Sequence, residues 1–108
     1  MAYVTVTLDT SVSPPKFTFK PDPVDINPGT ETIHWTRASA NFTFAALAID
    51  HPNPFSNVIV HDDELTAYDD NHLVAHHNYN VLVKANGTYY SSKEGHILTG
   101  GGPTIRNN

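Results

Sequence analysis

Residues 78–108, NYNVLVKANGTYYSSKEGHILTGGGPTIRNN, decide the fold. Asn86-Gly87 stands between two alternating runs, 78–85 and 88–92, and a two-residue hairpin loop needs positive φ at both central positions, which Asn and Gly accept at least cost. A loop of that length fixes the register: Ala85 faces Thr88, Lys84 faces Tyr89 and Val83 faces Tyr90. Lys84 then shares a strand face with Leu82, while Val81 and Val83 take the other, so the hairpin has one apolar side to bury. Further on, Ile97 and Leu98 suggest a short strand before the run Gly100 to Gly102, and the chain closes on a short polar stretch.

Working outward from the hairpin, the apolar period is two nearly everywhere. Residues 3–8 alternate Val4, Val6 and Leu8 against Tyr3, Thr5 and Thr7, as a half-buried strand does. Lys16–Lys20 repeats this with Phe17 and Phe19; its flanking Pro14, Pro15 and Pro21 lack ladder donors, which predicts an edge strand. Val24 and Ile26 precede Asn27-Pro28-Gly29, a turn with proline presetting φ and glycine taking the left-handed position. Residues 30–37 then alternate with Ile33 and Trp35 inward, so this turn predicts a second hairpin. Residues 41–49 are apolar on both faces, which predicts a central strand. Between 50 and 71 lie Pro52, Pro54 and Asp50, Asp62, Asp63, Glu64, Asp69 and Asp70, six of the eleven acidic residues; one apolar run, 58–60, makes this loop, strand, loop.

Short strands with close turn signals and no amphipathic helix predict an all-β chain. The expected architecture is one domain spanning 1–108, an antiparallel β-sandwich or small β-barrel of about 6–8 strands with immunoglobulin-like or cupredoxin-like layering. A length of 108 residues suits a single core. A net charge of −5 with six unclustered Lys and Arg argues against nucleic acid or an anionic membrane as partner. With no cysteine there is no disulfide, thiol nucleophile or thiolate metal ligand. The start, MAYVTVTLDT, has neither a basic segment nor a long apolar run, which predicts a cytoplasmic protein without signal peptide or membrane span.

Seven histidines raise the question of a metal. The densest group is His72, His76 and His77 with Asp69 and Asp70; but adjacent His76 and His77 point to opposite faces of a strand, and the spacing of His72 and His76 joins them on one metal only in a helix. Solvated loop histidines, with no metal and no cofactor, are the expected state of segment 61–77. Asp62, Asp63, Glu64, Asp69 and Asp70 lack the glycine and terminal glutamate of a calcium loop. Residues 27–35, NPGTETIHW, are similar to the cupredoxin pattern of a turn leading into a tryptophan-bearing strand, although blue copper needs a cysteine thiolate. Lys84, within an apolar strand, snorkels to water or pairs with a carboxylate. Asp22-Pro23 is the one Asp-Pro bond, placed among prolines that define a turn or edge.

Three stretches together resemble a small bacterial family known as DP-EP: Phe17 through Asp25 to Trp35, the hairpin from Tyr79 to Tyr90 with Lys84, and Gly102-Pro103-Thr104-Ile105-Arg106-Asn107. The resemblance implies a compact all-β protein linked to aspartic-peptidase-like self-cleavage at an Asp-Pro bond near the carboxyl end, where a carboxylate, a lysine and a tyrosine assist proton transfer. Carried over by position, Asp25 is the carboxylate, Asp22 the second candidate, Lys84 the lysine, and Gly102-Pro103 the cleavage-equivalent bond. Glycine has no carboxyl, so the intramolecular attack that makes Asp-Pro fragile cannot occur there, and proximity worth a large factor is forgone. Two functions follow as expectations. The first is a noncatalytic module that binds itself, as a homo-oligomer, or another protein through an edge strand such as Lys16–Lys20 or through the tail. The alternative is a self-cleaving aspartic-peptidase-like protein using Asp25 and Lys84.

Overall fold

The computed structural model describes residues 2–50, 55–71, 74–95 and 103–108. They form ten strands and one helical turn: β1 Ala2–Asp9, β2 Lys16–Lys20, β3 Val24–Ile26, β4 Glu31–Arg37, β5 Thr43–Ile49, β6 Phe55–Val60, β7 Glu64–Asp69, β8 Ala75–Ala85, β9 Thr88–Ser91, α1 Ser92–Gly95 and β10 Thr104–Asn107. One sheet runs β2-β1-β4-β7-β6; the other runs β3-β10-β8-β5, with β9 also on β8. The chain is therefore a sandwich, with its core between the two layers.

The anchoring hairpin has the expected register, Ala85 opposite Thr88, Lys84 opposite Tyr89 and Val83 opposite Tyr90. Asn86 and Gly87 take φ of 52° and 78°, the left-handed pair a two-residue turn requires. Nothing lies within 4 Å of where a Gly87 Cβ would stand, so the demand for glycine there comes from the backbone alone. Inward residues of both sheets fill the core: Val4, Val6 and Leu8 of β1, Phe17 and Phe19 of β2, Ile33 and Trp35 of β4, facing Val81 and Val83 of β8 and Ile105 of β10. Tyr79 joins the layers, edge-on to Phe19 at 5.5 Å and to Trp35 at 5.3 Å.

Long β8 shares one of its edges between two partners. Residues 75–78 pair with β10 and residues 82–85 with β9. In the gap, Tyr79 N–H donates to the Pro103 carbonyl at 2.9 Å and Val81 N–H donates to Ser92 Oγ at 2.8 Å. Ser92 is fully buried, and its hydroxyl donates in turn to Asn80 Oδ1 at 3.1 Å. A side chain thus completes the backbone ladder where neither strand reaches, as a buried N–H demands.

Several local expectations change once strands find their partners. The described residues form ten strands where about six to eight were expected, and two pairings, β1 with β4 and β10 with β3, are parallel. β3 and β4 lie in different sheets, so Asn27-Pro28-Gly29 carries the chain across the sandwich and closes no hairpin. The prolines at 21 and 23 do the same between β2 and β3, since neither can donate to a continuing ladder. β5 is an edge, where a central strand was expected. β7, central in its sheet, is hidden in the sequence by its acidic ends, and the polar tail supplies β10, an interior strand. The short strand expected at Ile97 and Leu98 lies outside the described residues. No helix among the described residues is long and apolar enough to cross a membrane.

Candidate functional site

The residues singled out from the sequence fall into two places. Asp25, at the centre of β3, faces Arg106 on the parallel strand β10; the guanidinium donates to both carboxylate oxygens, from Nε to Oδ1 and from Nη2 to Oδ2, the latter at 2.9 Å. That pair holds the exposed Asp25 carboxyl below its ordinary range, so the group is a fixed anion tying the last strand to the third. Asp22 Oδ1 accepts from Thr104 N–H at 3.0 Å and so stands one residue from Pro103; Gly102 lies outside the described residues. Lys84 is elsewhere. It sits eight residues along β8 from His76, the residue opposite Arg106, a separation of roughly 26 Å at about 3.3 Å per residue. Its ammonium lies 5.5 Å above the Tyr89 ring. Carboxylates and lysine are not brought together, and burial pushes the Tyr79 phenol far up, which keeps it neutral.

A second polar constellation, only half visible in the sequence, is buried at one end of the sandwich. Asp69 ends β7 and Asn107 ends β10, both fully buried; Asn71 and His77 are 6% and 5% exposed. The odd-numbered residues of β8 face inward, so His77 enters the interior while His76 faces solvent. This corrects the expectation of solvated loop histidines and a solvated acidic run at two positions, His77 and Asp69, which are interior; His61, Asp62, Asp63, Asp70 and His76 are exposed as expected, and His72 lies outside the described residues. Asp69 Oδ1 accepts from Asn71 N–H at 2.9 Å and from Asn107 Nδ2 at 3.2 Å. Asn71 Nδ2 donates to the Asn27 carbonyl at 2.5 Å, His77 Nδ1 lies 3.1 Å from the Asp50 carbonyl, and Phe55 packs edge-on against the His77 ring at 4.9 Å. Burial pushes the Asp69 carboxyl up, against the downward pull of its hydrogen bonds to Asn71 and Asn107 and of nearby His77.

The third feature is an apolar flank. Of the five strands with a single partner, β2, β3, β5, β6 and β9, β2 carries exposed Lys16 and Lys20, and three-residue β3 is bracketed by prolines, the usual protections of a free edge. β5 and β6 carry no charge at all, and they lie on the same flank, where Phe44 N–H donates to the Asp62 carbonyl at 3.0 Å. Val58, Ile59 and Val60 of β6 are 46, 49 and 41% exposed. A bulge between Ser56 and Ile59, with Asn57 at φ 51°, shifts the register on β7, and side chains on both faces of the strand beyond it are exposed. On β4, the middle strand of the sheet that β6 ends, His34 Nδ1 meets Glu64 Oε2 of β7 at 3.0 Å and the ring stacks on Tyr3 of β1 at 4.8 Å.

A scan against protein-family models gives no match, and neither does a search of curated proteins. The resemblance to the DP-EP family therefore rests on its short motifs alone. Sequence alternation missed the buried polar end because Asp69 and Asn107 occupy inward positions that the pattern normally assigns to apolar residues. The one available signal was the strand parity of His76 and His77, which sends one of them inside.

Proposed function

We propose that this chain is a noncatalytic β-sandwich module that associates with a second copy of itself through strand β6. The observation that carries the reading is the uncharged β6 edge with Val58, Ile59 and Val60 about half exposed, set against the lysine- and proline-guarded β2 and β3. Antiparallel pairing of β6 with its copy across a twofold axis is self-complementary, as a closed dimer requires. Tail-mediated association is not part of the proposal, because β10 is already paired on both sides.

The energetics set the expected affinity. Full burial of a Val or Ile is worth about 1.5–3 kcal/mol, so covering three half-exposed side chains on each protomer yields roughly 4–9 kcal/mol. Each new edge hydrogen bond adds about 0.5–1.5 kcal/mol net, against roughly 4–15 kcal/mol for lost rigid-body freedom. The balance is a weak dimer, with Kd between about 1 μM and about 1 mM. Sedimentation velocity from about 10 μM to about 1 mM brackets that range: the native chain should shift toward dimer with concentration, and Ile59→Lys should remain monomeric. A native chain that stays monomeric throughout, or an Ile59→Lys variant that dimerises equally, overturns the reading.

A second reading, aspartic-peptidase-like self-cleavage, draws on the hydrogen bond from Thr104 N–H to Asp22 beside Pro103. An unchanged intact mass after days at mildly acidic pH counts against it.

A further inference from the structure

We infer that the buried polar end of the sandwich is a binding site for one divalent first-row cation, held by Asp69, Asn71, His77 and Asn107. Four atoms there are buried without a hydrogen-bond partner among the described residues: Asp69 Oδ2, Asn71 Oδ1, His77 Nε2 and Asn107 Oδ1. Buried polar atoms are partnered in the large majority of cases, and each exception calls for a specific cause.

All four can act as electron-pair donors: the surrounding bonds fix the three oxygens as such, and Nε2 is one whenever the His77 ring is neutral. Asn71 Nδ2 points at the carbonyls of Ile26 and Asn27, and Asn107 Nδ2 points at Asp69 Oδ1; these partners only accept, so neither amide can be turned around. The Asp50 carbonyl also only accepts, which assigns the proton of neutral His77 to Nδ1 and leaves a lone pair on Nε2. Such a hydrogen bond from the far nitrogen of the ring to a carbonyl is what orients a metal-ligating histidine.

The fold places the four residues side by side. Asp69 touches Asn71 and Asn107 through Oδ1. His77 and Asn107 face inward on neighbouring strands, with Ile105 opposite His77 and Asn107 two residues on, a diagonal pair about 7–8 Å apart between backbones. Phe55 lies opposite Asp69 and packs on the His77 ring. What is missing is positive charge or hydrogens. One proton on Asp69 Oδ2 serves that atom and one neighbour, and one water serves two more, whereas a single cation serves all four. A carboxylate and two amide oxygens with one imidazole make a mixed oxygen and nitrogen set, suited to Mn2+ or Zn2+. The site is independent of the β6 association.

The test uses the intact chain, freed of metal by chelation, and titrates Mn2+ alone and Zn2+ alone. One equivalent should bind, raising the melting temperature, and Mn2+ should broaden amide signals most strongly around residues 69, 77 and 107. Asp69→Asn and His77→Gln, which keep size and shape, should each weaken binding at least tenfold while the folded spectrum persists. No uptake of either ion overturns the inference and leaves water with a neutral carboxyl as the occupant. Broadening centred instead on exposed His61 or His76, or undiminished binding by folded variants, overturns it equally; if a variant fails to fold, the broadening pattern of the native chain decides.

Discussion

Tyr79→Phe should stabilise this protein, and the structure sets the size of the gain. The ring is 1% exposed and wedged between Phe19 and Trp35, contacts that phenylalanine keeps. The hydroxyl is buried, and among the described residues it has no hydrogen bond of good geometry, its one polar neighbour being the Trp35 indole N–H, which is too poorly placed to satisfy it. An unpaired buried hydroxyl costs about 1–3 kcal/mol relative to one left in water, and its removal leaves a gap of only one atom. The variant should therefore gain about 1–2 kcal/mol, a rise of roughly 4–10 °C in Tm for a domain of this size. Trp35, the single tryptophan, lies 5.3 Å from Tyr79 and reports unfolding in urea by fluorescence, where the midpoint should rise at unchanged slope. Tyr79→Leu is the control, since it removes the hydroxyl together with two aromatic contacts worth about 0.5–1.5 kcal/mol each. A loss of stability in Tyr79→Phe would refute the reasoning, because it would mean that the hydroxyl has a partner, such as an internal water, whose bonds matter.

Ser92→Ala should cost about 1–3 kcal/mol in urea denaturation, because it strands the buried Val81 N–H between the two partners of β8; amide exchange at Val81 should accelerate with it. Gly87→Ala should cost about 1–2 kcal/mol, since φ of 78° is left-handed and the space around the new methyl is open, and a neutral result would show that the turn relaxes. Asp25 should make a pH-dependent contribution through Arg106. Its folded carboxyl is held below the ordinary value of 3.8, so the contribution is present above that pH and is lost as pH falls through the lower folded value. Asp25→Asn should thus be less stable than the native chain near neutrality and converge with it in acid; a difference independent of pH would exclude the ion pair as its source.

Alternation made part of the fold legible. The Asn86-Gly87 hairpin, the inward faces of β1 and β4 and the guarded edge β2 follow from local chemistry, because turn residues and a period of two are properties of a few consecutive residues. β7 was missed since Asp69 fills an inward slot in an acidic stretch, and β10 because a single isoleucine marks its core face. Of the candidate site residues, Asp25 and Asp22 lie against the last strand, and Lys84 does not share their end of β8.

By itself the sequence determined that this chain forms strands, which of their faces turn inward at the clearest positions, and that it offers no cysteine and only six Lys and Arg side chains. Only the tertiary structure decided that Asn27-Pro28-Gly29 crosses between sheets, that the uncharged β6 strand ends up at an edge, and that Asp69, Asn71, His77 and Asn107 share one interior. Strand propensity and alternation act between neighbours along the chain. Which strand lies beside which depends on closing loops tens of residues long and on two sheets burying one core together, and no local pattern encodes that choice.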